Sequence, residues 1–200
     1  MMNALPYSLK YSGGPLLLAL LSCTLWLFEP ASGQLFAYER SAIEQMEWWR
    51  VLSGNIVHTN GFHLLLNLGG LVLLWALHGE HYRPLRFLHV IVWCSVLTGL
   101  GLYAFNTELH WYAGLSGTLH GLFTWGACMD VKHGFRSGFA LLVGIAVKIG
   151  WEQAYGASDG VASLIDANVA VNAHLFGAIA GLIVFAVMGD VTAKKLSASR

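Results

Sequence analysis

Six apolar stretches divide this chain, at about 15–28, 62–77, 85–105, 113–129, 135–151 and 168–188, with charged or aromatic residues between them. Several approach the ~20 residues that a helix needs to cross a ~30 Å hydrocarbon core. Backbone in hydrocarbon has no water to bond, so such stretches are expected to fold as helices that close their own hydrogen-bond ladders. Composition points the same way, with 56% hydrophobic and 11% charged residues and eight tryptophans beside seven tyrosines. The chain therefore reads as an all-α membrane protein, one membrane domain over residues 1–200, with the lipid bilayer as its first partner. Lys plus Arg equals Asp plus Glu at 11 each and no basic run stands out, which sets nucleic acid aside as a partner.

Charge between the stretches predicts orientation. Lys10, Arg83, Arg86, Lys132, Arg136, Lys194, Lys195 and Arg200 fall before the first stretch, between the second and third, between the fourth and fifth, and after the sixth. The remaining connections carry Glu29, Glu39, Glu44, Glu47, Glu108, Glu152, Asp159 and Asp166 against only Arg40 and Arg50. The positive-inside rule then predicts both termini in the cytoplasm, with every even-numbered stretch beginning on the outer side. The first stretch also imitates a signal peptide, with Lys10 ahead of it and "ASG" near Gly33; apolar residues continuing from Thr24 to Phe28 favour a retained helix. Cys23, Cys94 and Cys128 are isolated in apolar runs and read as packing residues. Trp26, Trp48, Trp49, Trp111, Tyr112 and Trp151 are expected in an outer aromatic belt, and Lys148 and Glu152, four apart, are expected to pair or snorkel. His58, His78, His81, His89, His110 and His133 fall in or near connections and are expected to be solvated.

Polar residues collect at one depth. The second stretch opens with "HLLLN", placing His63 and Asn67 on one helical face. The fourth opens with "GLSGTLHG", Gly114 to Gly121, carrying Ser116 and His120. The sixth carries His174 six residues after Asn168, or ~9 Å below its outer start at helical rise. Any one such residue can act simply as packing glue between helices. Five at matched depth, His63, Asn67, Ser116, His120 and His174, point to a function, because ionisable groups in hydrocarbon are expensive.

Nucleophilic catalysis fits them best. A serine hydroxyl is a weak nucleophile and needs a base, and His174 reaches Ser116 only if two helices come close. Gly177 and Gly181 share the face of His174, and Gly117 and Gly121 repeat the small-xxx-small spacing beside Ser116. Ser116 also opens its helix, so its N–H is a free donor at the positive end of the helix dipole, suited to an oxyanion, with His63 and Asn67 as further donors. No carboxylate lies in the outer half of the second, fourth or sixth stretch, so these residues predict a Ser-His dyad without a third member.

These motifs resemble the rhomboid intramembrane serine proteases. "GLSG" at Gly114 to Gly117 is similar to their GxSG, "HLLLN" at His63 to Asn67 to their HxxxN, "AHLFGAIAG" at Ala173 to Gly181 to their AHxxGxxxG, and "WWR" at Trp48 to Arg50 to their first-loop Trp-Arg. The resemblance implies a six-transmembrane-helix bundle in which Ser116 is nucleophile, His174 general base, and His63, Asn67 and the Ser116 N–H the oxyanion hole. Gly114, Gly117, Gly177, Gly181 and His120 support them, and no metal or cofactor is implied. It also implies a site open to the outer water through the loops around Asn60 and Asn106, with the second and fifth helices parting to admit substrate.

His120 stands where many rhomboids carry tyrosine, and with the compact chain this resembles the rhombosortase branch. That resemblance implies a bacterial inner-membrane enzyme, open to the periplasm, acting on the C-terminal Gly-Gly anchor of surface proteins. Three alternatives stay open: an ordinary rhomboid with other single-span substrates, a non-catalytic relative, and a haem or metal protein using His63, His120 and His174.

Overall fold

The computed structural model describes residues 5–197, without the side chains of 159 and 189–197. Arg200, counted in the orientation argument, lies outside the described residues, and so do the side chains of Lys194 and Lys195.

Each apolar stretch falls on a long helix. The chain runs α1 (Leu9–Leu27), α2 (Ala31–Phe36), β1 (Tyr38–Glu39), α3 (Arg40–Glu44), α4 (Arg50–Ser53) and α5 (Gly61–His78). It continues with α6 (Pro84–Phe105), β2 (Trp111–Tyr112), α7 (Ser116–Lys132), α8 (Ser137–Tyr155), α9 (Asp159–Ile165) and α10 (Val171–Ser197). Among the described residues, three spans, Gly61–His81, Pro84–Phe105 and Val171–Met188, are long and apolar enough to cross a membrane by length and composition. Leucines such as Leu65, Leu73 and Leu85 lie exposed on the helix surfaces, as expected where lipid is the solvent.

Local chemistry sets the helix starts. The Asn60 side chain accepts from the His63 N–H at 2.8 Å and caps α5. Pro84 opens α6, where its missing N–H has no helical partner to lose. Gly114 adopts φ +137 ahead of α7, a conformation that L side chains rarely adopt.

Glycine also sets the central packing, because α7 and α10 meet backbone to backbone. A Cβ on Gly121 would stand 2.8 Å from the Gly177 carbonyl oxygen, and one on Gly117 would stand 2.9 Å from that of Ala173. A Cβ on Gly177 would collide with the Gly117 carbonyl. Around this contact Leu115, Leu119, Leu122, Trp125, Ala180 and Val184 build the main core with residues of α5 and α6.

The long connection after α1 is a folded cap. Arg50 is only 6% exposed and donates to the Ala37 and Gln34 carbonyls, at 2.8 Å each, while pairing with Glu47. Five such donors in a rigid fork suit an arginine, which can close several chain segments at once. Tyr38 pairs with Tyr112 in a two-residue antiparallel ladder, and the Gly114 N–H donates to the Gly54 carbonyl at 3.0 Å. The cap therefore fixes the segment that leads into α7.

This cap corrects part of the sequence reading. His58 is buried beside α5, and burial together with the nearby His63 holds its pKa well below the usual histidine range, which favours the neutral ring. His78 and His81 are buried too, grouped around Asp130, with His81 Nε2 at 2.9 Å and His78 Nδ1 at 3.2 Å from its carboxylate. Of the six histidines expected to be solvated, His89, His110 and His133 are exposed. The connections fold back on the helix ends, which periodicity does not reveal. Tyr112 likewise leaves the aromatic belt: it is buried and its hydroxyl donates to the Gly114 carbonyl. Trp26, Trp48, Trp49, Trp111 and Trp151 are exposed at their surfaces.

Candidate active site

The close approach of α7 and α10 brings Ser116 and His174 together. Ser116 begins α7, so its own N–H has no carbonyl one turn back. Its hydroxyl lies 3.0 Å from His174 Nε2, within reach for proton transfer. His120, one turn below Ser116, stacks on His174 with ring centroids 4.1 Å apart and planes inclined by 13°. Its Nδ1–H donates to the Ser116 carbonyl at 2.7 Å, which orients that ring. His120→Ala is expected to destabilise the fold by about 0.5–1.5 kcal/mol, the worth of one ring stack, whereas His120→Tyr keeps a stacking ring and most of the stability. Thermal unfolding in detergent measures both.

His63 and Asn67 face the same space from α5. A Cβ on Gly114 would stand 2.7 Å from His63 Nε2, so glycine there lets the imidazole lie against the backbone leading to Ser116. Asn67 Nδ2 donates to the His63 carbonyl at 3.2 Å and keeps a second N–H. The His63 tautomer follows from Thr59. That hydroxyl donates to the Ile165 carbonyl at 2.7 Å, so at 2.9 Å it accepts from His63 Nδ1. The neutral ring then turns a lone pair at Nε2 toward the site, and donation to an oxyanion requires the other tautomer, with the ring proton on Nε2 and the Thr59 hydroxyl turned to donate to Nδ1.

A second neighbour of His174 was not among the expected site residues. Glu152, on α8, has Oε2 2.8 Å from His174 Nδ1, and its Oε1 lies 2.5 Å from Lys148 Nζ. The Lys148–Glu152 pair was expected, but the contact to His174 corrects the argument that no carboxylate is available. The second, fourth and sixth stretches carry the serine, asparagine and histidines, whereas this carboxylate comes from the fifth. The one signal for it in the sequence is an acid and a lysine inside an otherwise apolar helix.

Two cavities meet at Ser116. A groove of about 1360 Å³ runs between α5 and α8, lined by Leu73 and Leu77 on one side and Val147 and Trp151 on the other, with Ser116 and His174 on its wall. A smaller cavity of about 360 Å³ reaches Ser116 from the loops, past Asn106, Asn168 and Asn172. The groove is mainly apolar and suits a hydrophobic segment; the smaller cavity carries a larger share of polar groups, its asparagines among them, and suits water.

Among the described residues, two groups of side chains could hold a metal: His120 with Glu152 and His174, and Glu80 with His81 and Asp130. His63, the third histidine of the haem or metal alternative, is in neither. Both nitrogens of His174 already face Ser116 and Glu152, so the geometry favours a serine site over a ligand set.

The family model of the rhomboid domain matches residues 45–191, which spans all of these side chains. The chain belongs to the rhomboid family, and it is a membrane protein. No curated protein matches it.

Proposed function

We propose that this protein is an intramembrane serine endopeptidase, one membrane domain of six spanning helices with both termini cytoplasmic, in a bacterial inner membrane. The observation that carries this reading is the 3.0 Å contact of Ser116 Oγ with His174 Nε2, at the start of a helix and where an apolar groove meets a smaller, asparagine-bearing cavity.

The reaction follows from the groups present. Ser116 Oγ attacks the scissile carbonyl carbon as its proton passes to His174 Nε2. The resulting oxyanion is held by the Ser116 N–H and the free N–H of Asn67, with His63 joining once Thr59 has turned its proton. Collapse expels the new amine, which takes the proton from His174, and leaves an ester on Ser116. Water entering past Asn106 and Asn168 on the periplasmic side attacks the ester carbon as its proton passes to His174, and His174 returns that proton to Ser116 Oγ as the acid leaves.

The substrate is a transmembrane anchor cut near its outward end. A helical segment must unwind to present a carbonyl, because its backbone is already bonded, and glycine lowers the cost of unwinding. Together with His120 after GxSG, this favours the C-terminal Gly-Gly anchors that the rhombosortase resemblance implies. The test is a secreted reporter ending in Gly-Gly, an apolar helix and a basic tail, expressed with the protein. We expect release of the reporter, lost with Ser116→Ala and lost when the glycines become leucine. Equal release of the leucine version would leave the protease reading and favour an ordinary rhomboid with other single-span substrates.

A further inference from the structure

We propose that Glu152 is a positioning residue that completes a Ser116–His174–Glu152 triad, with Lys148 holding its carboxylate ionised. The inference rests on the Ser116–His174 reading above and adds a member from α8.

Three observations carry it. The two nitrogens of one imidazole are engaged in line, Nε2 by Ser116 at 3.0 Å and Nδ1 by Glu152 at 2.8 Å. A carboxylate accepts only, so it selects the tautomer with the proton on Nδ1 and leaves a lone pair on Nε2 facing the serine. The Glu152 side chain is only 12% exposed, whereas that of Lys148 is 48% exposed. A carboxylate serving an exposed ion pair has no need to be turned inward; here one oxygen takes the lysine and the other is aimed at the ring. Finally, His120 clamps the ring face, so stacking fixes its plane and Glu152 fixes its rotation within that plane. When Ser116 gives up its proton, the imidazolium that forms sits between the oxyanion and a carboxylate that balances its charge.

The groove adds a consequence for α8. That helix forms one wall of the passage and also carries Glu152, so a substrate that pushes α8 outward also moves the carboxylate that orients His174.

The test uses a fluorophosphonate probe on the full chain in detergent, reading the maximal labelling rate and the half-saturating probe concentration separately. In labelling, Ser116 Oγ forms a bond to phosphorus, fluoride leaves, and the serine proton passes to His174. In Glu152→Gln, Lys148 is a pure donor and draws the amide oxygen to itself. The amide NH2 then faces Nδ1 and imposes the wrong tautomer. We expect the maximal rate to fall about 100-fold or more, with the half-saturating concentration within about twofold of the parent.

Adding Lys148→Met frees the amide to turn its oxygen toward Nδ1. The double variant Lys148→Met with Glu152→Gln is therefore expected to recover at least tenfold over Glu152→Gln alone, which a purely structural ion pair does not predict. Parent-like labelling of Glu152→Gln would overturn the proposal, as would loss in both variants alike with a matching fall in unfolding temperature. Ser116→Ala and His174→Ala, run alongside, separate the two claims. If they are silent while Glu152→Gln labels normally, the dyad stands and the triad fails; if they label, the serine reading itself fails.

Discussion

His174→Ala is expected to lower cleavage of a single-span reporter by at least about 1000-fold, with the protein still folded. Among the described residues, the neighbouring histidines are held in other contacts. His120 sits beside the lost ring, but its Nδ1 is held by the Ser116 carbonyl, which ties the ring to that contact. His63 has its Nδ1 committed to Thr59 and approaches from the Gly114 side, where an oxyanion donor belongs. His58 packs edge-on against His63, with ring centroids 5.2 Å apart, behind it. Reporter cleavage by purified protein in liposomes measures the loss, with the unfolding midpoint in detergent as control. A fall of tenfold or less would mean that the serine is activated by something else.

Gly177→Val produces the largest loss of stability, about 3 kcal/mol or more, and abolishes activity with it. Its Cβ would collide with the Gly117 carbonyl, which belongs to helix backbone and cannot rotate away as a side chain would. The helices must part, and Ser116 and His174 ride on the two that do, so the 3.0 Å contact between them is lost in the same movement. Gly69→Ala is the matched control: nothing lies within 4 Å of a Cβ there, and alanine favours helix, so stability stays level or rises by about 0.5–1 kcal/mol. Thermal unfolding of both variants in one detergent, with activity measured on the folded fraction, separates packing from any general intolerance of α10 to substitution.

The contrast between Gly177 and Gly69 explains why parts of this molecule can be read from sequence. Six hydrophobic runs predict six long helices because hydrocarbon leaves the backbone no alternative, and each run does lie on a helix. The helix starts are legible where a cap or proline marks them, as at Asn60 and Pro84. Small residues repeated every four positions around Ser116 and His174 foretell a close crossing, and the fold brings α7 and α10 together there.

Other features depend on contacts between segments that no local pattern encodes. The connection from Glu29 to Gly61 folds under Arg50, so Tyr112 and His58 turn inward where composition suggested surface. Glu152 is hidden differently. With Lys148 one turn before it, it already has a sufficient local explanation, and only the rotation of α8 toward α10 reveals a free carboxylate oxygen at His174. A pair that accounts for one of two oxygens leaves the second to be explained, and in hydrocarbon a charged oxygen rarely goes unused.

Intact-mass and peptide analysis of the detergent-purified protein after reaction with a fluorophosphonate tests whether Ser116 is a nucleophile activated by His174. One adduct per chain is expected, on Ser116, absent from both Ser116→Ala and His174→Ala. A folded parent that takes up no adduct, or carries it on another residue, would contradict that role.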